Sequence, residues 1–175
     1  MPLKLEILQK YKTDSSIFVE TGSHAGDGID IAIRSGYSKI ISIEIADIYY
    51  NHCKNRFRDN PNVILIKGDS EFLLKNIIEE YDIEKLTFWL DGHYSHGNTG
   101  RGKQDTPLLY ELDTIKNSKR NDHIILIDDM RCWKETDENY KFGEKDILEK
   151  LNKINNYKYA YEDGHIIKDI LVAYT

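Results

Sequence analysis

Apolar positions along the chain gather into five short, near-continuous runs: "SIFVE" (16–20), "KIISIEI" (39–45), "VILIKGD" (63–69), "LTFWLDG" (86–92) and "HIILIDD" (123–129). Runs this short and this rich in β-branched residues read as strands buried on both faces. Their starts lie 23, 24, 23 and then 37 residues apart. The intervals carry a helical period instead. "GDGIDIAIRSG" puts Ile29, Ala32 and Ile33 on one face and stops at Gly36, a residue suited to the left-handed turn after a helix. "ADIYYNHCKNRF" is ended by Asn60-Pro61, and "SEFLLKNIIEEY" opens with Ser70 as its expected cap, with Phe72, Leu73, Ile77 and Ile78 on one side. "TPLLYELDTIKN" takes Thr106 as cap and Pro107 as first helical residue.

Strands alternating with helices predict an α/β fold with a Rossmann-like, doubly wound and mostly parallel sheet. The C-terminal part changes character. "EKDILEKLNKIN" reads as a further helix, and "YKYAYEDGHIIKDILVAYT" as two antiparallel strands around an Asp163-Gly164 turn. With that hairpin the sheet has seven strands. Residues 1–15 carry a short amphipathic helix expected to pack on an edge, and no linker or repeat divides residues 1–175, which read as one domain.

In open α/β sheets ligands bind beyond the carboxyl ends of the strands. Here every one of the five strands ends in an acid: Glu20, Glu44, Asp69, Asp91, and the pair Asp128 and Asp129. With 24 Lys+Arg against 30 Asp+Glu the chain carries a formal charge of −6, which argues against a nucleic-acid partner. Cys53 and Cys132 stand far apart and outside any CxxC pattern, so neither a disulfide framework nor a zinc site is indicated. No apolar run approaches the length of a membrane span, and no signal or lipidation motif is present. A cytoplasmic protein is the expectation.

"VETGSHAGDG" joins the first strand to the first helix. Gly22 permits a sharp turn, and Gly26 and Gly28 permit close approach at the helix start. Glu44 lies 22 residues beyond Gly22, where an acid accepts hydrogen bonds from ribose hydroxyls. The glycines do not follow the G-x-G-x-x-G spacing of dinucleotide sites. An acid just before the turn also suits a cationic ligand better than a phosphate. S-adenosylmethionine, with a sulfonium, an amino group and a ribose, matches those acids.

From about Ser16 to Thr175 the chain resembles the class I S-adenosylmethionine-dependent methyltransferases, and "VETGSHAGDG" is similar to the E-x-G-x-x-x-G form of their first motif. That form occurs in the cation-dependent small-molecule O-methyltransferases of the macrocin, catechol and caffeoyl-CoA types. The resemblance implies that Glu20, with Gly22, Ser23, His24, Gly26 and Gly28 around the turn, holds the methionine part. It implies further that Glu44 binds the ribose and that Asp69 and Ser70 lie beside the adenine. The final hairpin agrees with the seventh, antiparallel strand of those folds.

In the cation-dependent branch an acid ends the fourth strand and an acidic pair ends the fifth, which here are Asp91 and Asp128 with Asp129. On that resemblance the three carboxylates hold Mg²⁺ or another divalent cation, a hard ion that favours oxygen ligands, and Asp91 also helps position the methionine part. The bland alternative makes the Asp pair a cap or a partner of Arg131. The catechol-type base, a lysine three residues after the fourth-strand acid, is replaced here by Tyr94. His93 becomes the candidate base, with His96 in reserve. The polar segment 93–106 is too long for a simple connection and reads as a substrate lid or specificity loop. In it Tyr94, His96, Arg101 and Lys103 are candidate acceptor contacts, the two cations for an anionic group. Trp133 is the candidate aromatic wall of the acceptor pocket.

The reaction expected is methyl transfer to a hydroxyl of a small molecule, sugar or glycan. Three rivals remain: a nucleic-acid methyltransferase, though "DGHY" lacks the Asn/Asp-Pro-Pro-aromatic run; a polyamine-type aminopropyltransferase; and a non-catalytic nucleoside-binding module. Only about fifteen residues precede the first strand, so the site either stays open to a large acceptor or is closed by a second subunit in a homo-oligomer.

Overall fold

The computed structural model describes residues 3–95, 97–133 and 141–175. In chain order the elements are α1 (Leu5–Tyr11), β1 (Ile17–Thr21), α2 (Asp27–Arg34), β2 (Lys39–Glu44), α3 (Asp47–Arg56), β3 (Val63–Lys67) and α4 (Ser70–Glu80). Then follow β4 (Leu86–Leu90), α5 (Leu108–Lys116), β5 (Ile124–Ile127), a 3₁₀ turn (Met130–Cys132), α6 (Glu144–Ile154), β6 (Lys158–Glu162) and β7 (Ile170–Tyr174). The strands form one seven-stranded sheet in the order β3-β2-β1-β4-β5-β7-β6. All neighbours are parallel except β5–β7 and β6–β7. This is the doubly wound, Rossmann-like arrangement with a C-terminal antiparallel hairpin that the hydrophobic pattern anticipates.

Side chains alternate across a strand, and the core divides accordingly. Val19, Ile41, Ile43, Phe88, Leu90, Ile125 and Ile127 face the helices α4, α5 and α6, packing on Leu74, Ile77, Leu112, Ile115, Ile147 and Leu151. Phe18, Ile40, Trp89, Leu126 and Val172 face the other layer, against Ile7, Leu8, Ile29, Ala32, Cys53 and Phe57 of α1, α2 and α3. β1, β4 and β5 are buried at every position, as central strands covered on both sides must be.

Three local expectations are corrected, and a fourth in part. Asp69, not Ser70, caps α4, its carboxylate accepting from Glu71 N at 3.0 Å, while Ser70 is the first helical residue. Phe72 is 58% exposed, because the buried stripe of α4 runs through Ser70, Leu74, Ile77 and Ile78. The helix α1 lies mainly on a face of the sheet beside α2, while its C-terminal end reaches the edge strand β6 through Lys10 and Tyr11 to Glu162. The final hairpin has no two-residue Asp163-Gly164 turn. Residues 163–169 join β6 to β7, with Lys168 N donating to Asp163 Oδ1 at 3.0 Å and Lys168 at φ +60°.

Candidate cofactor and acceptor site

Strand order reverses between β1 and β4, and that crevice is where doubly wound sheets bind ligands. The backbone is tight there. Asp91 N donates to Thr21 O at 3.1 Å, and Gly22 N donates to Ile43 O at 2.9 Å. Gly22 has φ +87°, and a Cβ on it would fall 2.4 Å from Asp91 O, so no larger residue fits the turn. Above the crevice opens a cavity of about 490 Å³ lined by the strand ends and by segment 93–104. That volume suits a small-molecule ligand.

One end of the cavity is built from β1, β2 and β3. Gly22, His24, Glu44, Asp69 and Ser70 all line it, joined by Ile45 and Tyr49, which sequence reasoning did not single out. Glu44 accepts from His24 N at 2.9 Å and from Ala46 N at 2.7 Å. The His24 ring sits against the Tyr49 ring with centroids 4.2 Å apart.

Four residues of the turn, Glu20, Ser23, Gly26 and Gly28, do not line this cavity. Glu20 is fully buried on the opposite side of β1, where its Oε2 accepts from Ser42 Oγ at 2.5 Å. Ser23 is also buried, its hydroxyl 2.6 Å from that of Ser42. Glu20 and Ser23 therefore act on the turn through Ser42. Burial pushes the Glu20 carboxyl up to about 8, and its Oε1 has no hydrogen-bond partner. Gly26, at φ +84°, packs on α3: a Cβ there would fall 2.6 Å from the Phe57 ring. Gly28 is buried inside the first turn of α2.

The other end is acidic. Asp91, His93, Tyr94, Asp128 and Asp129 line it, with Arg131 and His165. Asp129 has a left-handed backbone (φ +57°), which turns it back toward β4. His93 Nε2 lies 3.0 Å from Asp129 Oδ2 and 2.9 Å from Ser95 Oγ, and Nδ1 lies 3.6 Å from Asp91 Oδ1. Burial keeps the imidazole below its ordinary range, against the pull of Asp129. Arg131 pairs with both Asp129 and Asp169. Asp169, from the end of the β6–β7 connection, is fully buried and also accepts from Arg131 N at 3.0 Å. No sequence motif marks it.

Four carboxylates thus surround one guanidinium. Burial, then Asp129, pushes Asp128 up to about 8, and Asp91 is raised by burial and by Asp128 and Asp129. Among the described residues two groups bring three ligand atoms within 4.8 Å of one another: Asp91, His93 and Asp129, and Asp128, Asp129 and Asp169. The trio Asp91, Asp128 and Asp129 is not one of them. Asp129 is common to both.

Other expected contacts lie elsewhere. Trp133 does not wall the cavity. It is 1% exposed, stacks on Phe142 with centroids 5.1 Å apart, and donates from Nε1 to Asp128 O at 3.2 Å. Arg101 turns outward, paired with Asp105 at 2.5 Å and over the Tyr94 ring at 5.5 Å. Lys103 Nζ lies 4.0 Å from Glu71. His96 falls outside the described residues. Glu111, unmarked in the sequence, is buried beneath the floor, its Oε1 without a hydrogen-bond partner, and is pushed by burial up to about 7. No helix among the described residues is long and apolar enough to cross a membrane.

No family model matches the sequence, and no curated protein does. Solved structures do match. A candidate rRNA methylase from Clostridium thermocellum superposes with a TM-score of 0.62 at 13% identity, over 99% of this chain and 98% of its own. The O-methyltransferase from Bacillus cereus in complex with SAH gives 0.60 at 12% identity, over 98% and 78%. The N-methyltransferase NodS from Bradyrhizobium japonicum WM9 gives 0.57 at 12% identity, over 95% and 86%. Likeness at these identities is likeness of fold: the mostly parallel seven-stranded sheet with a C-terminal antiparallel hairpin is the Rossmann-like fold of these methyltransferase structures.

Proposed function

We propose that the protein transfers a methyl group from S-adenosylmethionine to a hydroxyl of a small molecule or sugar, with a divalent cation at the acceptor end. The observation that carries this reading is one cavity with two chemically distinct ends. A nucleoside-type end holds Gly22, His24, Glu44 and Asp69, and it runs directly into an end of Asp91, His93, Asp128 and Asp129. Glu44 would take the ribose hydroxyls and Asp69 with Ser70 the adenine side. Asp91, beside Gly22, would sit near the sulfonium. Nucleic acid is disfavoured as acceptor by the net charge of −6.

The acidic end fits a cation. Carboxylates in excess over guanidinium either take up protons or gather a counter-charge, and Asp129 Oδ1 accepts no hydrogen bond although Arg131 lies against it. Asp129 and Asp91 would be the anchoring ligands, with Asp128 behind them. When bound, the cation would lower the pKa of an acceptor hydroxyl and orient it. His93 would then take the proton. Donation of Nε2–H to Asp129 would leave Nδ1 as the basic nitrogen, and Asp91 at 3.6 Å would stabilise the charge gained there. Most of the rate gain would come from alignment of hydroxyl and methyl.

Titration calorimetry with S-adenosylhomocysteine and, separately, with Mg²⁺ and Mn²⁺ tests both halves. Binding of nucleoside and cation is expected in the wild type, with cation binding lost and nucleoside binding kept in Asp128→Asn/Asp129→Asn. A protein that binds no S-adenosylhomocysteine is not a methyltransferase of this class. One that binds it but no cation assigns the acids to Arg131 alone.

A further inference from the structure

We propose that residues 99–103, in the segment between β4 and α5, form a cover over the nucleoside end of the cavity, so that this loop encloses the cofactor. The inference rests on the reading of that end as a nucleoside site. Segment 93–106 leaves the end of β4, where an acceptor lid would fold toward β5. It goes the other way. Gly100 lies so close to the residues after β2 that a Cβ on it would fall 2.2 Å from Ile45 Cγ2 and 2.9 Å from Ala46 N. Gly102 lies against the residue after β3, where a Cβ would fall 2.3 Å from Asp69 Oδ2. The loop has therefore crossed the ends of β1 and β2 to reach β3.

Two further contacts fix it. Lys103 N donates to Asp69 Oδ2 at 3.2 Å, so one carboxylate caps α4 through Oδ1 and pins the loop through Oδ2. Tyr94 N donates to Asp105 O at 2.6 Å and closes the base of the loop. Thr99, Gly100, Gly102 and Gln104 line the same cavity as Glu44 and Tyr49. Only glycine allows backbone to lie on backbone and carboxylate at these distances. The far end of the cavity is lined by Arg131 and His165. A nucleoside beneath the loop can then exchange only when residues 99–103 lift.

The loop supplies its own probe, because Arg101 and Lys103 point outward with side chains 65% and 69% exposed, where trypsin can cut. Limited trypsinolysis of the wild type with and without S-adenosylhomocysteine, followed by mass spectrometry, is expected to show cleavage after Arg101 and Lys103 slowed by the nucleoside. In parallel, Gly100→Ala and Gly102→Ala are each expected to release S-adenosylhomocysteine about 10-fold faster, measured by surface plasmon resonance on variants whose melting temperature matches the wild type. The wild-type protection experiment stands even if a variant fails to fold. Nucleoside that binds in calorimetry without slowing cleavage overturns the cover and leaves the methyltransferase reading intact. Unchanged dissociation from both folded variants does the same. Absence of nucleoside binding overturns both.

Discussion

Glu20 illustrates how a single buried group sets a pH dependence. Its carboxyl is fully buried, Ser42 satisfies one oxygen, and burial pushes its pKa up to about 8. A carboxyl whose folded pKa is raised contributes stability that is present below the unfolded pKa, near 4.5, and lost as pH climbs through 8. The ligand-free protein should therefore weaken across that window. Glu20→Gln keeps the shape and removes the ionisation. It is expected to raise the melting temperature at pH 8, by roughly 1–3 kcal/mol of stability, with the gain shrinking toward pH 5. A gain that does not vary with pH would mean that the carboxyl is ionised in the fold. The sequence showed the acid but not its direction. In a strand, period-2 alternation sends Glu20 to the face opposite Thr21, and only the pairing of Glu20 with Ser42 and Trp89 across β2 and β4 defines what it meets.

At the scale of elements, the strands were legible because central strands buried on both faces leave unbroken apolar runs. The carboxyl-end acids were legible for the same reason, as the charge that ends each run. Helix phase was less so. Phe72 and Leu73 are adjacent, so they cannot share the centre of one stripe, and the packing of α4 on α5 selects Leu74 instead. Glu111 shows the converse. It lies between Leu108 and Leu112 on the buried face of α5, so an acid interrupting an apolar stripe was the available signal for a polar group under the floor. Leu112→Ala is expected to cost about 2–5 kcal/mol in chemical denaturation, since it empties a fully buried site between β-sheet and helices. Phe72→Ala, at an exposed position, should stay within about 0.5 kcal/mol of wild type. Equal losses for the two would return Phe72 to the core stripe. The hairpin was misread for a different reason: Asp163-Gly164 has the residues of a tight turn, but Asp169 is held inward by Arg131, which lengthens the connection to seven residues, 163–169.

For the whole molecule the decisive feature is where the negative charge sits. A formal −6 spread over the surface would say little, but Asp91, Asp128 and Asp129 converge at one end of one crevice with Asp169 buried behind Asp129, and Arg131 pairs with Asp129 and Asp169. The fold brings this about, because β4 and β5 are neighbours and the antiparallel β7 inserts beside β5, delivering Asp169 from a distant part of the chain. Sequence spacing alone could place the first three acids together and offer Arg131 as a partner of the pair, but could not place the fourth acid. A divalent cation that binds this cluster in the folded state alone must stabilise the fold by mass action, by about 2.7 kcal/mol at a hundredfold excess over its dissociation constant. For a chain of this size that corresponds to roughly 5–10 °C in melting temperature. The rise is expected with Mg²⁺ or Mn²⁺ and should vanish in Asp129→Asn, because both three-ligand groups contain Asp129. Sodium chloride at matched ionic strength separates binding from screening. If it lifts the melting temperature as far as the divalent ion does, the cluster is merely being screened, with Arg131 as its counter-ion among the described residues.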